Sequence, residues 1–276
     1  MRTRIPTAGA LVVGLALPAL AATFEHSKVA ASGQTQTTGT LPLSGAVTIT
    51  QNLDPTNLTS AMSVACVDGN ATRDTGWWRL FDLDRDHGLT GEVCVRSVDY
   101  GIESAIGTQD IHLLVGCLPD SAPRPGPGGT LFLDFVNQVA SHTQPQPDAT
   151  LEFFSIDGSG CCNADSESLV IGLISDDCKE TDCGGGQGSC CQLLFIGAND
   201  LGETKANFIN APDCGVDDPI DGVAACFECS GVVMVVHVEG TVEEIPATTA
   251  LGTVLTALLL LACSGGELRG RAPLRS

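Results

Sequence analysis

The chain reads as an all-β protein: a single antiparallel β-sandwich, jelly-roll-like, with disulfide-rich loops, set between an N-terminal signal helix and a C-terminal transmembrane helix. Three observations predict this. From Leu43 onward, short apolar runs alternate with Gly, Pro, Asn and Asp turn residues. Apolar residues hardly recur at helical spacing over more than two turns. Of the 13 cysteines, all but Cys263 lie between the hydrophobic ends, an even number suited to pairing. About 200 residues suffice for one core, and about ten to twelve short strands imply two packed sheets.

The chain opens with Arg2 and Arg4, then an apolar run from Ala8 to Leu20. Ala19-Leu20-Ala21 puts small residues at the two positions that a signal peptidase reads, so residues 1–21 form a signal peptide cut after Ala21. Thr23 to Thr40 is rich in Ser, Thr, Gln and Gly and makes residues 22–42 a loose leader.

The sandwich occupies residues 43–243. Val47 and Ile49 alternate with Thr48 and Thr50, a half-buried strand. Trp77 to Leu83, Glu92 to Tyr100, Ile111 to Leu118 and Thr130 to Val136 are further strands, the last with Leu131, Leu133 and Phe135 on one face. Leu151 to Ile156 ends at the turn Asp157-Gly158. Leu169 to Ile174 is apolar on both faces and belongs at the centre of a sheet. Leu193 to Ile196, Val223 to Phe227 and Val232 to Val238 complete the set, the last with Val232, Met234, Val236 and Val238 on one face. The Pro-rich Pro119 to Gly129 and the Gly/Cys-rich Asp176 to Cys190 are surface excursions.

The tail, residues 244–276, starts at Ile245-Pro246 and carries no charge until Glu267. Residues 247–266 suffice to cross a bilayer as a helix, and the basic end, 267–276, stays cytoplasmic through Arg269, Arg271 and Arg275. With Ile245, Pro246, Gly252 and those arginines in place, the tail resembles the IPTL-type C-terminal sorting signals of secreted bacterial proteins. Leu251 stands where that family has tryptophan. An anchor helix that nothing processes is the other reading of the same residues.

Residues 22–250 carry eight Lys and Arg against 32 Asp and Glu, a formal −24. Such a surface repels nucleic acid and anionic lipid, and neither is expected as a partner. The tail makes the membrane a partner; an extracellular glycan or protein is the other class expected.

Cys66, Cys94, Cys117, Cys161, Cys162, Cys178, Cys183, Cys190, Cys191, Cys214, Cys226 and Cys229 are disulfide candidates in an exported chain. Cys226-x-x-Cys229 is also a zinc-ligand pair, but no second pair stands at matching spacing. Asp82, Asp84 and Asp86 alternate, and three carboxylates converging from one loop are a candidate calcium site, the one cofactor expected. The EF-hand pattern fails, with His87 sixth and Val93 twelfth; the competing reading is a strand running into an acidic turn with Asp82 paired to an arginine. Trp77 and Trp78, adjacent on a strand, point to opposite faces, so one is a candidate platform for a sugar ring or partner unless a loop covers it.

No Gly-x-Ser-x-Gly elbow is present, and the five histidines show no metal-ligand spacing. His237 and Glu239 form either an acid/base pair or a solvated strand edge. Trp77-Trp78-Arg79-Leu80-Phe81-Asp82-Leu83, followed by Val95 to Glu103, and Phe195 to Asn199 followed by Ala211 to Gly215, resemble a group of secreted bacterial β-sandwich domains. That resemblance implies fold and export, not chemistry. The expected function is a non-catalytic, displayed structural, adhesive or ligand-binding protein. The rival is a secreted polysaccharide hydrolase using paired carboxylates.

Overall fold

The computed structural model describes residues 23–26, 47–68, 71–126, 128–176, 193–222 and 231–242. In chain order the strands are β1 (Thr23–His26), β2 (Val47–Thr50), β3 (Val64–Asp68), β4 (Ala71–Thr72), β5 (Thr75–Phe81), β6 (Leu89–Ile106), β7 (Gln109–Pro119), β8 (Asn137–Gln146) and β9 (Ala149–Asp157). They continue with β10 (Cys161–Asn163), β11 (Glu167–Ser175), β12 (Leu193–Ile196), β13 (Ala198–Asn199), β14 (Phe208–Ala211), β15 (Val216–Asp221), β16 (Gly231–Val232) and β17 (Met234–Val242). A short α-helix, α1 (Leu83–His87), lies between β5 and β6. The protein is therefore all-β, as its alternating pattern predicts.

The first large sheet is built on β6. One edge of this long strand takes β10 at Glu92–Cys94 and then β9 at Ser97–Ala105. The other edge takes β17 at Leu89–Tyr100 and then β12 at Ile102–Ile106, and β2 pairs with the far edge of β17. The second sheet runs β15-β14-β5-β11-β7-β8, antiparallel throughout, with β11 inside it as its doubly apolar sequence requires. Period-two alternation sends Ile111, Leu113, Val115 and Cys117 of β7, and Leu169, Ile171 and Leu173 of β11, into one apolar core. Val93, Val95, Val98, Tyr100 and Ile102 of β6, with Met234, Val236 and Val238 of β17, fill the same core from the facing sheet. The arrangement is β-sandwich-like.

A bulge adjusts the phase of β6. Ser97 pairs with His237 and Val95 with Val238, leaving Arg96 as the extra, exposed residue. Val95 and Val98 thereby both face inward, although their spacing of three would otherwise put them on opposite faces.

A second apolar layer covers the outer face of the β5–β11–β7 sheet. Trp78, Val170, Leu118 and Phe208 meet Leu131, with Ala122, Leu133 and Val136 packed against them from the 119–136 excursion. The strand expected at Thr130–Val136 is absent. Leu133–Phe135 forms a 3-10 turn instead, Leu131 is buried, and Phe135 points to solvent. That apolar segment covers a sheet rather than extending one.

Three disulfides lie among the described residues: Cys66–Cys214, Cys94–Cys161 and Cys117–Cys162. Consecutive strand residues point oppositely. Cys161 accordingly bonds its register partner Cys94 within the first sheet, while Cys162 crosses to Cys117 of the second. Closing loops of 45 to 148 residues this way stabilises a fold by roughly 2–4 kcal/mol per bridge. Cys178, Cys183, Cys190, Cys191, Cys226 and Cys229 lie outside the described residues, as do the strand expected at Val223–Phe227 and the terminal segments 1–21 and 244–276. Within the expected leader, Thr23–His26 pairs with β3 and is a strand rather than loose chain. Among the described residues, no helix is long and apolar enough to cross a membrane.

Candidate functional site

Asp82, Asp84 and Asp86 do not converge. Asp82 is the N-cap of α1, accepting from the Arg85 N–H at 3.3 Å and pairing with its guanidinium at 3.1 Å. Asp84 is exposed, and Asp86 pairs with Lys205 at 3.2 Å. A helical turn rotates alternate residues by roughly 200°, which sends the carboxylates apart and removes the predicted calcium site. The local cause is readable in Asp82-Leu-Asp-Arg-Asp-His-Gly88: an aspartate N-cap and, at the other end, a glycine at φ 62°. His87 ends this turn with its ring tilted against Phe81, and burial holds its pKa below the usual value against the pull of Asp86 and Asp82.

Glu92 lies near Cys94 and Cys161, and Glu167 near Cys117 and Cys162. All four sulfurs are in disulfides and have no thiolate to offer a metal.

Neither indole reaches solvent. Trp77 is 1% exposed in the main core, with Nε1–H donating to the Val64 carbonyl at 2.9 Å. Trp78 does point to the opposite face, but it is 3% exposed and donates to Asn210 Oδ1 at 2.7 Å. Its ring lies over Gly172, where a Cβ would collide with it, and Leu131 helps cover it. The predicted aromatic platform at Trp77 and Trp78 is therefore corrected: a loop covers the outward ring.

His237 has a partner other than the one expected. Glu239 pairs with Arg96, while His237 Nε2 lies 2.7 Å from Asp99 Oδ2 and Nδ1 lies 3.2 Å from Thr48 Oγ1. Register explains the cluster. Thr48, His237, Ser97 and Asp157 form one row across four strands, and Thr50, Val235, Asp99 and Ser155 form the next. A similar group recurs on the second sheet, where His112 Nδ1 meets its register partner Thr143 Oγ1 at 2.8 Å. Asp176 lies 3.0 Å from His112 Nε2, at ion-pair distance without hydrogen-bond alignment. The first group is a hydroxyl–imidazole–carboxylate chain, the kind that can relay a proton, whereas the second lacks the imidazole–carboxylate hydrogen bond that such a relay needs. Each is also a cross-strand pair, whose ordinary work is to hold register.

The remaining buried charges serve as anchors. Arg79 is 0% exposed; Nη1 donates to Glu203 Oε2 at 2.7 Å and to the Lys205 carbonyl at 3.2 Å, and Nη2 to the Val232 carbonyl at 2.6 Å. Burial lowers its pKa, and Glu203 opposes that shift. A side chain at Gly231 would strike Glu203 and the guanidinium. Glu103, fully buried, accepts from the N–H groups of Ala61, Met62 and Ser63. Asp221 accepts from the Gly128 N–H at 3.3 Å.

Sequence reasoning missed one exposed aromatic feature. Phe132 and Phe135 are 40% and 47% exposed, with ring centroids 6.2 Å apart and planes at 86°. The 3-10 turn at Leu133–Phe135 breaks the strand alternation that had put Phe135 on one face with Leu131 and Leu133.

No family model matches the chain, and no curated protein matches it. A solved structure of the clostridial cysteine protease Cwp84 after propeptide cleavage is similar at TM-score 0.37 and 13% identity, over 68% of this chain and 45% of that one. The cysteine protease and lectin-like domains of Cwp84, a surface layer associated protein of Clostridium difficile, give 0.32 and 13%, over 68% and 40%. The chain spans less than half the length of either structure, and at these TM-scores the likeness carries no argument about activity.

Proposed function

We propose that the chain is a non-catalytic bacterial protein, exported and displayed at the cell surface as a jelly-roll-like sandwich. Its signal peptide is removed after Ala21, and its C-terminal segment holds it to the membrane unless a sorting enzyme cuts it. Its work is structural, adhesive or ligand-binding. Three disulfides among the described residues suit an oxidising compartment.

The observation that carries this reading concerns the buried acidic and basic side chains among the described residues: Arg79, Asp99, Glu103, Asp221 and His237. Each holds a loop or a strand pair in place, whereas a catalytic acid or base is held ready for a substrate in a cleft. Incubating the full-length protein with polysaccharide, ester and peptide substrates tests it. No product above the blank is expected. Product release that His237→Ala or Asp99→Asn abolishes would establish an enzyme instead, and release that survives both would point to the rival carboxylate pair.

A further inference from the structure

We propose that Phe132, Phe135 and the uncharged strand β8 form a binding site for a neutral polysaccharide. The proposal rests on the display reading and names the ligand class that the displayed surface takes.

The first observation is one of charge. The chain carries −20 overall, yet Thr130 to Gln146 contains one acidic residue, Asp134, and no Lys or Arg. The exposed side chains along it are Phe132, Asp134, Phe135, Asn137, Gln138, Val139, Ser141, Thr143 and Pro145. No cation there would hold an anionic polymer, and Asp134 with the acidic body would repel one. Neutral amides and hydroxyls beside aromatic rings match a sugar, which offers C–H faces to a ring and hydroxyls to amides.

The second observation is rigidity. The Leu131 N–H donates to the Pro219 carbonyl at 2.8 Å, and Thr130 bridges Ile220, tying the segment to β15. Leu131 is buried on Trp78, and Val136 packs flush on Gly116, where a Cβ would collide with it. The Val136 N–H closes the turn onto the Leu133 carbonyl at 2.9 Å. The rings therefore stand on an anchored base, so little ordering cost falls on binding.

Size selects the occupant. Less than half of each phenylalanine is exposed, so the two together offer roughly 150–200 Å². One or two sugar rings need no more than the two phenyl groups provide.

The test is affinity electrophoresis of the full-length protein in native gels containing xyloglucan, galactomannan, laminarin or hydroxyethyl cellulose, beside gels containing polygalacturonate. Retardation by at least one neutral polymer, and none by polygalacturonate, is expected. Phe132→Ala with Phe135→Ala should weaken it about tenfold or more, with melting temperature unchanged. Leu53→Ala with Leu201→Ala, removing exposed apolar groups elsewhere, should leave it intact. Absence of retardation by every neutral polymer, equal retardation by polygalacturonate, or full binding by the double phenylalanine variant would overturn the site. A concentration-dependent dimer that the same variant abolishes, without retardation, would overturn it in favour of a second copy. Polymer cleavage during binding would overturn the non-catalytic reading while supporting the site.

Discussion

His87 sits at the last position of α1 with its ring tilted against Phe81, and burial makes its protonated form unfavourable despite Asp86 and Asp82. Its pKa in the folded protein is thus below the unfolded value of 6.5. The unfolded chain then binds more protons just below that pH, so this residue's contribution to stability is complete above pH 6.5 and is lost as pH falls. His87→Phe keeps a ring beside Phe81 without a titrating group. Urea unfolding across that range should show a shallower loss of stability on acidification in the variant, and equal slopes would refute the assignment. At this scale the sequence was readable where chemistry is local. Two adjacent tryptophans on a strand had to face opposite ways, and they do. A loop over the outward ring was one of the two readings; which loop was not readable, because the cover comes from Leu131, 53 positions beyond Trp78 along the chain. His237 likewise finds Asp99 at a separation of 138 residues, while Glu239, two positions away, bonds elsewhere.

Among elements, the segment leading into β3 shows how one side chain shapes a loop. Glu103, on β6, gathers three successive N–H groups at Ala61, Met62 and Ser63. Ala61 sits at φ 64°, a conformation that costs a non-glycine residue about 1 kcal/mol. Glu103→Gln keeps the volume but turns one acceptor into a donor facing donors, so stability should fall by about 1–3 kcal/mol. Ala61→Gly should oppose that trend or be neutral. Denaturant midpoints at constant slope check both, and an unchanged midpoint in Glu103→Gln would show that the carboxylate is not what holds the turn. The central strand β11 and the short β12 were legible as apolar runs. β8 was not: its sequence, NQVASHTQPQ, is polar, because one edge and most of one face meet solvent. Thr130–Val136 was misread for the opposite reason, since its leucines cover a sheet instead of joining one. The stretch after β5 was legible as an acidic turn with Asp82 paired to an arginine, which Arg85 supplies; that the aspartate cap and glycine stop make it a helical turn was not read.

For the whole molecule, the two sheets, their shared core and the disulfides are one statement. Opposite orientation of Cys161 and Cys162 makes sense only if β10 lies at the edge of one sheet and over the other. All-β class and an even complement of cysteines were legible in composition; connectivity was not, because it depends on which strands meet across the core. The terminal segments carry the export reading and lie outside the described residues, so the oxidised state of the body is where export and fold can be tested together. The direct measurement is mass spectrometry of the non-reduced, alkylated protein from exporting cells, with backbone fragmentation between Cys161 and Cys162. The account predicts Cys94–Cys161, Cys117–Cys162 and Cys66–Cys214. Alkylated thiols at these six positions, or the exchanged pairing Cys94–Cys162 with Cys117–Cys161, would contradict it.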